Sequence, residues 1–206
     1  VGITIPLDKG LPPQEIELSL KRAKVDAVIF EDEYANIMKD IQKNSDIKEF
    51  ICMNSSCDGT FKVLSDLINE GKVLLDNGDT RFENHKINPD DIASIIFTSG
   101  TTSMSKAVML SNTNIASNIY NINCAEKIYD TDVNMLFLPL HHTFGSTALL
   151  LFLADGVTNV FCDGLRYIQA NLKEYKVSIF VCVPLLLEAM YKKIYAEVEK
   201  QGKTKI

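Results

Sequence analysis

Short apolar segments of β type alternate with helical patterns along the chain, and this alternation limits the fold more than any other feature. The apolar segments are rich in valine, isoleucine and phenylalanine, which suits strands that are buried on both faces. We predict strands at Gly2–Pro6, Ala27–Phe30, Phe50–Met53, Val73–Leu75, Ser94–Phe97, Met135–Leu138, Asn159–Phe161 and Ser178–Val183. The alternation predicts an α/β fold with a mostly parallel sheet, or sheets, flanked by helices.

The segments between these strands repeat apolar residues three or four positions apart, as helices do. The predicted helical faces are Ile16, Leu20 and Ala23; Tyr34, Ile37, Met38 and Ile41; Phe61, Leu64, Leu67 and Ile68; Ile115, Ile119 and Ile122; and Leu186, Met190, Ile194 and Val198. Thr60 and Ser111 are candidate N-caps. Pro184 suits the first turn of the last helix.

Length and composition fit one globular domain or a piece of a larger one. The chain has 206 residues, of which 46% are hydrophobic and 23% are charged. Its one long polar stretch, Asp76–Asp91, is typical of a surface connection. We therefore treat residues 1–206 as a partial domain, with possible sub-lobes 1–76 and 92–206 joined by the polar stretch 77–91.

Charge and hydropathy argue against several classes of protein. The net charge of −6 leaves no basic face for a nucleic acid. The longest apolar run, Ala148–Ala154, is much shorter than the roughly 20 residues of a membrane-spanning helix. The start, Val1-Gly2-Ile3, has no basic region of a signal peptide and no Met, so we expect a segment of something longer.

The five cysteines are odd in number and lie mostly in apolar runs, where a free thiol acts as a small hydrophobe. This usage predicts free thiols, a reducing compartment and therefore a cytoplasmic protein.

The segment Thr98–Lys106 carries most of the chemical information. An apolar strand ends at Phe97, the next eight residues are almost all Ser, Thr or Gly, and Lys106 follows. Small residues let backbone N–H groups converge on an anion, hydroxyls add donors, and lysine adds a positive charge, which suits a polyphosphate. A polar hairpin between two buried strands is the alternative that these residues leave open.

This loop is not a Walker P-loop, although Gly100 and Lys106 have the spacing of one. Ser105 occupies the second glycine position, and Ala107 occupies the position of the magnesium-binding hydroxyl. Residues 107–110 also predict a strand, where a P-loop would begin a helix.

Two adjacent histidines, His141 and His142, follow the strand predicted at Met135–Leu138. Adjacent side chains on an extended segment point to opposite sides, so the pair would chelate one ion poorly. No Cys, Asp or Glu stands nearby at ligand spacing. Two histidines with a structural role at a strand end are the alternative to a metal site.

Two segments together resemble the adenylate-forming superfamily of acyl-CoA and aryl-CoA synthetases, luciferases and peptide-synthetase adenylation domains. Thr98-Ser-Gly-Thr-Thr with Lys106 and Val-Met-Leu-Ser is similar to its phosphate loop, Thr-Ser-Gly-Thr-Thr-Gly-x-Pro-Lys-Gly-Val-x-Leu-Ser-His. Leu138-Pro-Leu-His-His-Thr-Phe-Gly145 is similar to its motif Leu-Pro-x-x-His-x-x-Gly. The departures from the phosphate loop are Ser103 for Gly, Ser105 for Pro, Ala107 for Gly and Asn112 for His.

The resemblance implies a role for each matching residue. ATP phosphates would contact Thr98, Ser99, Gly100, Thr101, Thr102, Ser103 and Lys106, and Thr101 would also contact Mg²⁺. Lys106 and His142 would be the catalytic residues. His142, Phe144 and Gly145 would line the acyl pocket, with His142 orienting the substrate carboxylate.

The same resemblance implies ATP, Mg²⁺ and CoA as cofactor and co-substrates, and a carboxylic acid as substrate. The acid would attack the α-phosphate of ATP, and a thiol would then displace AMP. The serines in the phosphate loop resemble bacterial long-chain acyl-CoA synthetases, which favours a fatty acid.

Two alternatives remain. One is an adenylation protein that loads a carrier-protein thiol or activates an amino acid, although residues 138–146 lack the acidic residue of the amino-acid enzymes. The other is a non-catalytic nucleotide-binding or scaffolding domain, motivated by Ser103, Ser105 and Ala107.

The family's Tyr-Gly-x-Thr-Glu motif, ribose-binding Asp, hinge and late lysine do not occur in the sequence. We therefore expect the middle part of an N-terminal domain, inactive by itself. A peripheral position at a membrane stays open beside the cytoplasmic one.

Overall fold

The computed structural model describes residues 2–54, 59–98 and 105–202 of the chain. The helices are α1 (Pro13–Ala23), α2 (Ala35–Lys43), α3 (Leu64–Asp76), α4 (Asn112–Ala125), α5 (Thr143–Ala154), α6 (Ile168–Glu174) and α7 (Pro184–Lys200). The strands are β1 (Ala27–Phe30), β2 (Glu49–Cys52), β3 (Lys62–Val63), β4 (Ile92–Thr98), β5 (Lys106–Ser111), β6 (Val133–Leu136) and β7 (Thr158–Phe161). Short 3₁₀ turns occur at Asp32–Tyr34 and Leu165–Tyr167.

The chain divides into two compact units, Val1–Thr113 and Asn114–Ile206. The polar stretch 77–91 therefore lies within the first unit and not at the division. The sub-lobes predicted at 1–76 and 92–206 stay a prediction.

The first unit contains a parallel sheet in the order β1-β2-β3, in which Ala27 pairs with Glu49 and Cys52 with Val63. Its core joins α1, α2 and the sheet through Ile16, Leu20, Phe30, Met38, Ile41, Phe50, Cys52 and Phe61. The rings of Phe30 and Phe61 meet edge to face with centroids 5.0 Å apart. Burial of this apolar set holds α1 rigidly against the sheet.

The first unit also contains the antiparallel hairpin β4–β5, whose register runs from Ile92 opposite Ser111 to Thr98 opposite Lys106. Residues 2–6 also pair with β4, through a single parallel bridge between Thr4 and Ser94. The N–H of Thr4 donates to Ala93 O at 3.0 Å, and the N–H of Ile95 donates to Thr4 O at 2.9 Å.

The second unit is built on the parallel pair β6–β7, with Val133 opposite Thr158 and Leu136 opposite Phe161. Helix α5 lies between these strands in sequence and buries Ala148, Leu151 and Phe152. Among the described residues three of the four strand pairings are parallel, and the predicted α/β class is confirmed.

Several element predictions are wrong in detail. Val73–Leu75, predicted as a strand, lies inside α3, because a short apolar run fits a helix as well as a strand. Thr60 does not begin that helix, since α3 starts at Leu64 with Val63 at the N-cap position. Phe61 is instead a core residue just before β3.

Two predicted strands form single bridges only. Gly2–Pro6 contributes the Thr4 bridge, and Ser178–Val183 contributes a bridge between Asn134 and Ile179. Pro6 has no N–H to extend a ladder, which fits the short pairing at the first of these segments.

The cysteine prediction is wrong at one position. Cys52, which is fully buried, is disulfide-bonded. Cys124, Cys162 and Cys182 are free thiols as expected. Cytosolic disulfides are uncommon, so Cys52 weakens the argument from cysteines for a reducing compartment.

Across residues 2–54, 59–98 and 105–202, no helix has both the length and the apolar character needed to cross a membrane.

Candidate nucleotide and acyl sites

The predicted phosphate loop connects β4 to β5 in the sequence, so it belongs to the loop end of the β4–β5 hairpin. Thr98 is the last residue of β4 and Lys106 is the first of β5, and the two are direct partners in the antiparallel register. Both side chains are exposed. The hairpin thus places a hydroxyl and an ammonium group side by side at one end of a rigid ladder, a donor set that suits an anion.

The middle of the predicted loop, Ser99, Gly100, Thr101, Thr102 and Ser103, lies outside the described residues. The predicted phosphate contacts there, and the Mg²⁺ contact of Thr101, remain predictions. The segment after Lys106 is strand β5, as the sequence predicted, and this separates the loop from a Walker P-loop.

Arg22, in the last turn of α1, reaches the loop end of the hairpin. Its Nη1 donates to the backbone oxygen of Ser105 at 2.8 Å and lies 3.4 Å from Ser105 Oγ. Its guanidinium carbon lies 5.5 Å from the ring centroid of Phe97, within the range of a cation–π contact. The sequence alone does not mark Arg22, because nothing in the spacing of α1 links this residue to a loop about eighty positions away.

Asn112, which stands where the resembling family has His, fixes the other end of the hairpin. Its Nδ2 donates to Asn88 O at 3.1 Å and to Asp91 O at 3.2 Å. Next to it, Thr113 Oγ1 donates to Pro89 O at 2.8 Å. This departure from the family pattern therefore ties the segment 88–91 to the junction of β5 and α4.

His142 immediately precedes α5 and occupies its N-cap position with extended backbone. Its N–H donates to Pro139 O at 3.2 Å, and its carbonyl accepts from the N–H and hydroxyl of Ser146 at 3.1 and 3.0 Å. These bonds fix the backbone, while the imidazole is exposed at the positive end of the helix. The side chain can therefore donate a hydrogen bond to an anionic group there.

The two histidine rings lie side by side with centroids 4.3 Å apart. The prediction that the side chains point to opposite sides is wrong, because residues 140–141 form a turn and are not extended. Over the described ranges, no group of three or more His, Cys, Asp or Glu side chains could hold a metal ion.

Gly145, in the first turn of α5, packs directly on the backbone of the predicted acyl-pocket motif. A Cβ at this position would lie 2.4 Å from Pro139 O and 3.2 Å from Leu138 Cβ. Phe144 beside it is half exposed. His142, Phe144 and Gly145 are thus neighbours at the start of one helix in the second unit, while Thr98 and Lys106 belong to the first.

Residues 1–205 match the family model described as AMP-binding enzyme. The chain therefore belongs to the AMP-binding enzyme family, and the predicted resemblance to adenylate-forming enzymes is confirmed.

Similar curated proteins include two that act on long-chain fatty acids by name. Long-chain-fatty-acid–CoA ligase 5 of Rattus norvegicus is 29% identical over 212 residues, which cover 96% of this chain and 31% of that protein. The chloroplastic long-chain-fatty-acid–[acyl-carrier-protein] ligase AEE15 of Arabidopsis thaliana is 30% identical over 139 residues, which cover 65% of this chain and 19% of that protein. The chain spans less than a third of the length of either relative.

Solved structures confirm the fold. A long-chain-fatty-acid-CoA ligase from Archaeoglobus fulgidus matches with a TM-score of 0.76 at 22% identity, covering 93% of this chain and 37% of that one. The N-terminal domain of FACL13 from Mycobacterium tuberculosis matches with a TM-score of 0.70 at 20% identity, covering 91% and 45%.

Proposed function

We propose that this chain is part of an AMP-forming acyl-CoA synthetase that activates a fatty acid with ATP and transfers the acyl group to CoA. The observation that carries the proposal is the pairing of Thr98 with Lys106 at the loop end of the β4–β5 hairpin. In a chain whose residues 1–205 match the AMP-binding family, this pairing supports the assignment of the following loop to the ATP phosphates.

In the first step of the proposed reaction, a carboxylate oxygen of the acid attacks the α-phosphorus of ATP and pyrophosphate leaves. Lys106 would stabilise the negative charge that develops on the leaving pyrophosphate, together with donors from Ser99, Gly100, Thr101, Thr102 and Ser103. Thr101 is the candidate contact for Mg²⁺, which would supply positive charge against the phosphates. These groups act by position and charge, without covalent chemistry.

His142 would orient the acid. Its exposed imidazole at the positive end of α5 can donate to one carboxylate oxygen, which leaves the other oxygen to attack. Phe144 and Gly145 would form part of the acyl pocket beside it. In the second step the thiol sulfur of CoA attacks the acyl carbonyl, and AMP leaves.

The test is ATP–pyrophosphate exchange by the full-length protein that contains this segment, with a panel of fatty, aromatic and amino acids. We expect exchange that depends on a fatty acid. Lys106→Ala should raise the KM for ATP and lower exchange by about tenfold or more, because it removes a hydrogen bond to a charged group. Lys86→Ala, which changes another exposed lysine of the first unit, is the matched control. Unchanged exchange in Lys106→Ala would remove the phosphate assignment.

A second pair of variants separates the acid step from ATP binding. His142→Ala should slow adenylate formation while the Kd for ATP stays the same. His141→Ala, which changes the neighbouring histidine, should leave both the rate of adenylate formation and the Kd for ATP unchanged. Equal loss of ATP binding and adenylate formation in His142→Ala would instead indicate a structural role.

A carrier-protein thiol is a second candidate acceptor, because the name of the Arabidopsis relative AEE15 specifies acyl-carrier protein. Transfer assays with CoA and with phosphopantetheinylated carrier protein decide between the two. Absence of exchange with every acid in a folded protein would favour the non-catalytic domain. The departures from the family's phosphate loop at Ser103, Ser105 and Ala107 would then be the first explanation for the lost activity.

A cytoplasmic location, or a peripheral one at a membrane, stays a prediction that cell fractionation tests.

A further inference from the structure

Arg22 connects the two strands of the β4–β5 hairpin at the end where the predicted phosphate loop begins and finishes. On the β4 side its guanidinium lies against Phe97, and on the β5 side its Nη1 donates to the carbonyl of Ser105 at 2.8 Å. The carbonyl bond is charge-assisted and has near-ideal length. One side chain therefore contacts the residue before Thr98 and the residue before Lys106.

The helix that carries Arg22 is itself well anchored. Ile16 and Leu20 of α1 are buried in the core of the first unit. The helix ends at Ala23, and Lys24 closes it in the left-handed conformation, where its N–H donates to Lys21 O. Arg22 is an exposed side chain, but it extends from a helix turn that is anchored in the core, and its contacts with Phe97 and Ser105 define where its head group lies.

We propose that Arg22 is a positioning residue for the nucleotide site, which holds the loop end of the hairpin so that Thr98 and Lys106 keep the spacing that polyphosphate binding requires. The inference rests on the proposed function and extends it to a residue outside both family-like motifs. Ser105 stands where the resembling family has Pro, and its backbone oxygen is the main acceptor. The support therefore depends on the arginine and on the backbone, and only weakly on the Ser105 hydroxyl.

This role predicts a specific pattern of defects in Arg22→Ala. Loss of one intramolecular hydrogen bond at an exposed site shifts the equilibrium of the hairpin's loop end by about three- to tenfold, and ATP affinity falls by up to that factor if only the held arrangement binds phosphate. We expect the KM and Kd for MgATP to rise by that factor, with little change in the KM for the acid. Hydrogen exchange of backbone amides in a peptide spanning residues 94–111 should become faster, because the loop end of the hairpin is no longer held.

The experiment uses the full-length protein and four variants. Lys21→Ala removes a positive charge from the same turn of α1, where Lys21 pairs with Glu17, and is the matched control for general electrostatics. Arg22→Lys keeps the charge but loses the planar group that stacks on Phe97, so it should restore ATP affinity only in part. Ser105→Ala keeps the backbone acceptor and should bind ATP within about twofold of wild type, since the 3.4 Å contact to Oγ is weak.

The outcomes separate this inference from the proposed function. If Lys106→Ala weakens ATP binding but Arg22→Ala resembles Lys21→Ala, the positioning role is wrong and the phosphate site stands. Full recovery by Arg22→Lys, with unchanged hydrogen exchange in Arg22→Ala, would show that Arg22 acts as a charge and not as a support. If the wild-type protein binds no MgATP, both proposals fail.

Discussion

Gly145 shows how a single residue shapes the predicted acyl pocket. A Cβ there would lie 2.4 Å from Pro139 O, closer than real contacts allow, and the opposing atom is backbone that cannot rotate away. We expect Gly145→Ala to destabilise the fold by about 1–3 kcal/mol and to raise the KM for the acid, because α5 must shift away from residues 138–139. Urea unfolding and exchange kinetics of the full-length protein measure both effects.

Gly71 is the matched control, since it also lies in a helix, α3, but has nothing within 4 Å of an added Cβ. Gly71→Ala should stabilise by about 0.5–1 kcal/mol, because alanine loses less backbone freedom in a helix. If the two substitutions changed the free energy of unfolding equally, the close contact between the added Cβ and Pro139 O would not destabilise the fold.

Asp132 contributes a pH dependence to the second unit. The hydroxyl of Ser178 donates to its Oδ1 at 2.7 Å and the N–H of Tyr129 to its Oδ2 at 2.9 Å, and these bonds lower the pKa of the carboxyl below its usual value. A folded-state pKa below the unfolded one adds stability above the unfolded pKa, and that stability is lost as the pH falls through the folded pKa.

We therefore expect Asp132→Asn to lower Tm near neutral pH. The difference in Tm from wild type should shrink as the pH falls through the folded-state pKa of Asp132. Asp130→Asn, which removes a carboxylate two positions away, is the control. A difference that stays constant across the acid range would assign the effect to lost hydrogen-bond geometry and not to charge.

Some functional residues could be found from the sequence and others could not, for a physical reason. Lys106 and His142 stand in motifs that are continuous along the chain. The contacts of Arg22 and Asn112 join segments that are 83 and at least 21 positions apart, so only the folded chain brings these partners together. Asn134 is similar, since its buried amide donates to Asn159 across β6–β7 and no sequence pattern marks the pair.

At the scale of elements, the end of α1 offers a direct test of helix termination. Lys24 has a φ of 50° and a ψ of 51°, in the left-handed region that glycine adopts without a side-chain clash. Lys24→Gly should stabilise the protein by about 0.5–1 kcal/mol, because the relieved strain exceeds the added freedom of the unfolded chain.

The control for this prediction is Lys72→Gly, an exposed position inside α3, which should destabilise by about 1 kcal/mol. Urea midpoints of the two variants should move in opposite directions. Destabilisation by Lys24→Gly would imply that the lysine side chain stabilises the helix end.

Strand prediction succeeded where apolar segments had clear boundaries. Ala27–Phe30 is strand β1 at both ends, and Ser94–Phe97 lies within β4. Val73–Leu75 failed because its three apolar residues continue the α3 pattern that begins at Leu64, and length alone could not separate the two structures. The pairing of the strands into separate sheets was not predictable, since it depends on contacts between distant segments.

At the scale of the whole molecule, α7 carries a large exposed apolar surface. Leu185, Tyr191 and Ile194 are 74%, 66% and 60% exposed, and Leu187 lies about two helical turns before Ile194. Exposed apolar area of this kind favours association. We expect the isolated 206-residue chain to self-associate as its concentration rises, and Leu187→Gln with Ile194→Gln to reduce this association in sedimentation velocity.

Lys193→Gln, on the same helix, is the control and should leave the sedimentation profile unchanged. A chain that stays monomeric at every concentration would show that the α7 surface does not drive association.

The division into units has a consequence for how the protein is made. Each unit is a continuous stretch of chain, so the first can emerge from the ribosome before the second is synthesised. Within it, β1, β2 and the helices around them are close in sequence and can fold early. The bridge between Thr4 and Ser94 spans ninety positions, so residues 2–6 cannot make this pairing until the β4 hairpin is translated. During that interval Ile3 and Ile5 lack their β4 partner, and a chaperone that binds extended apolar segments would find its target there.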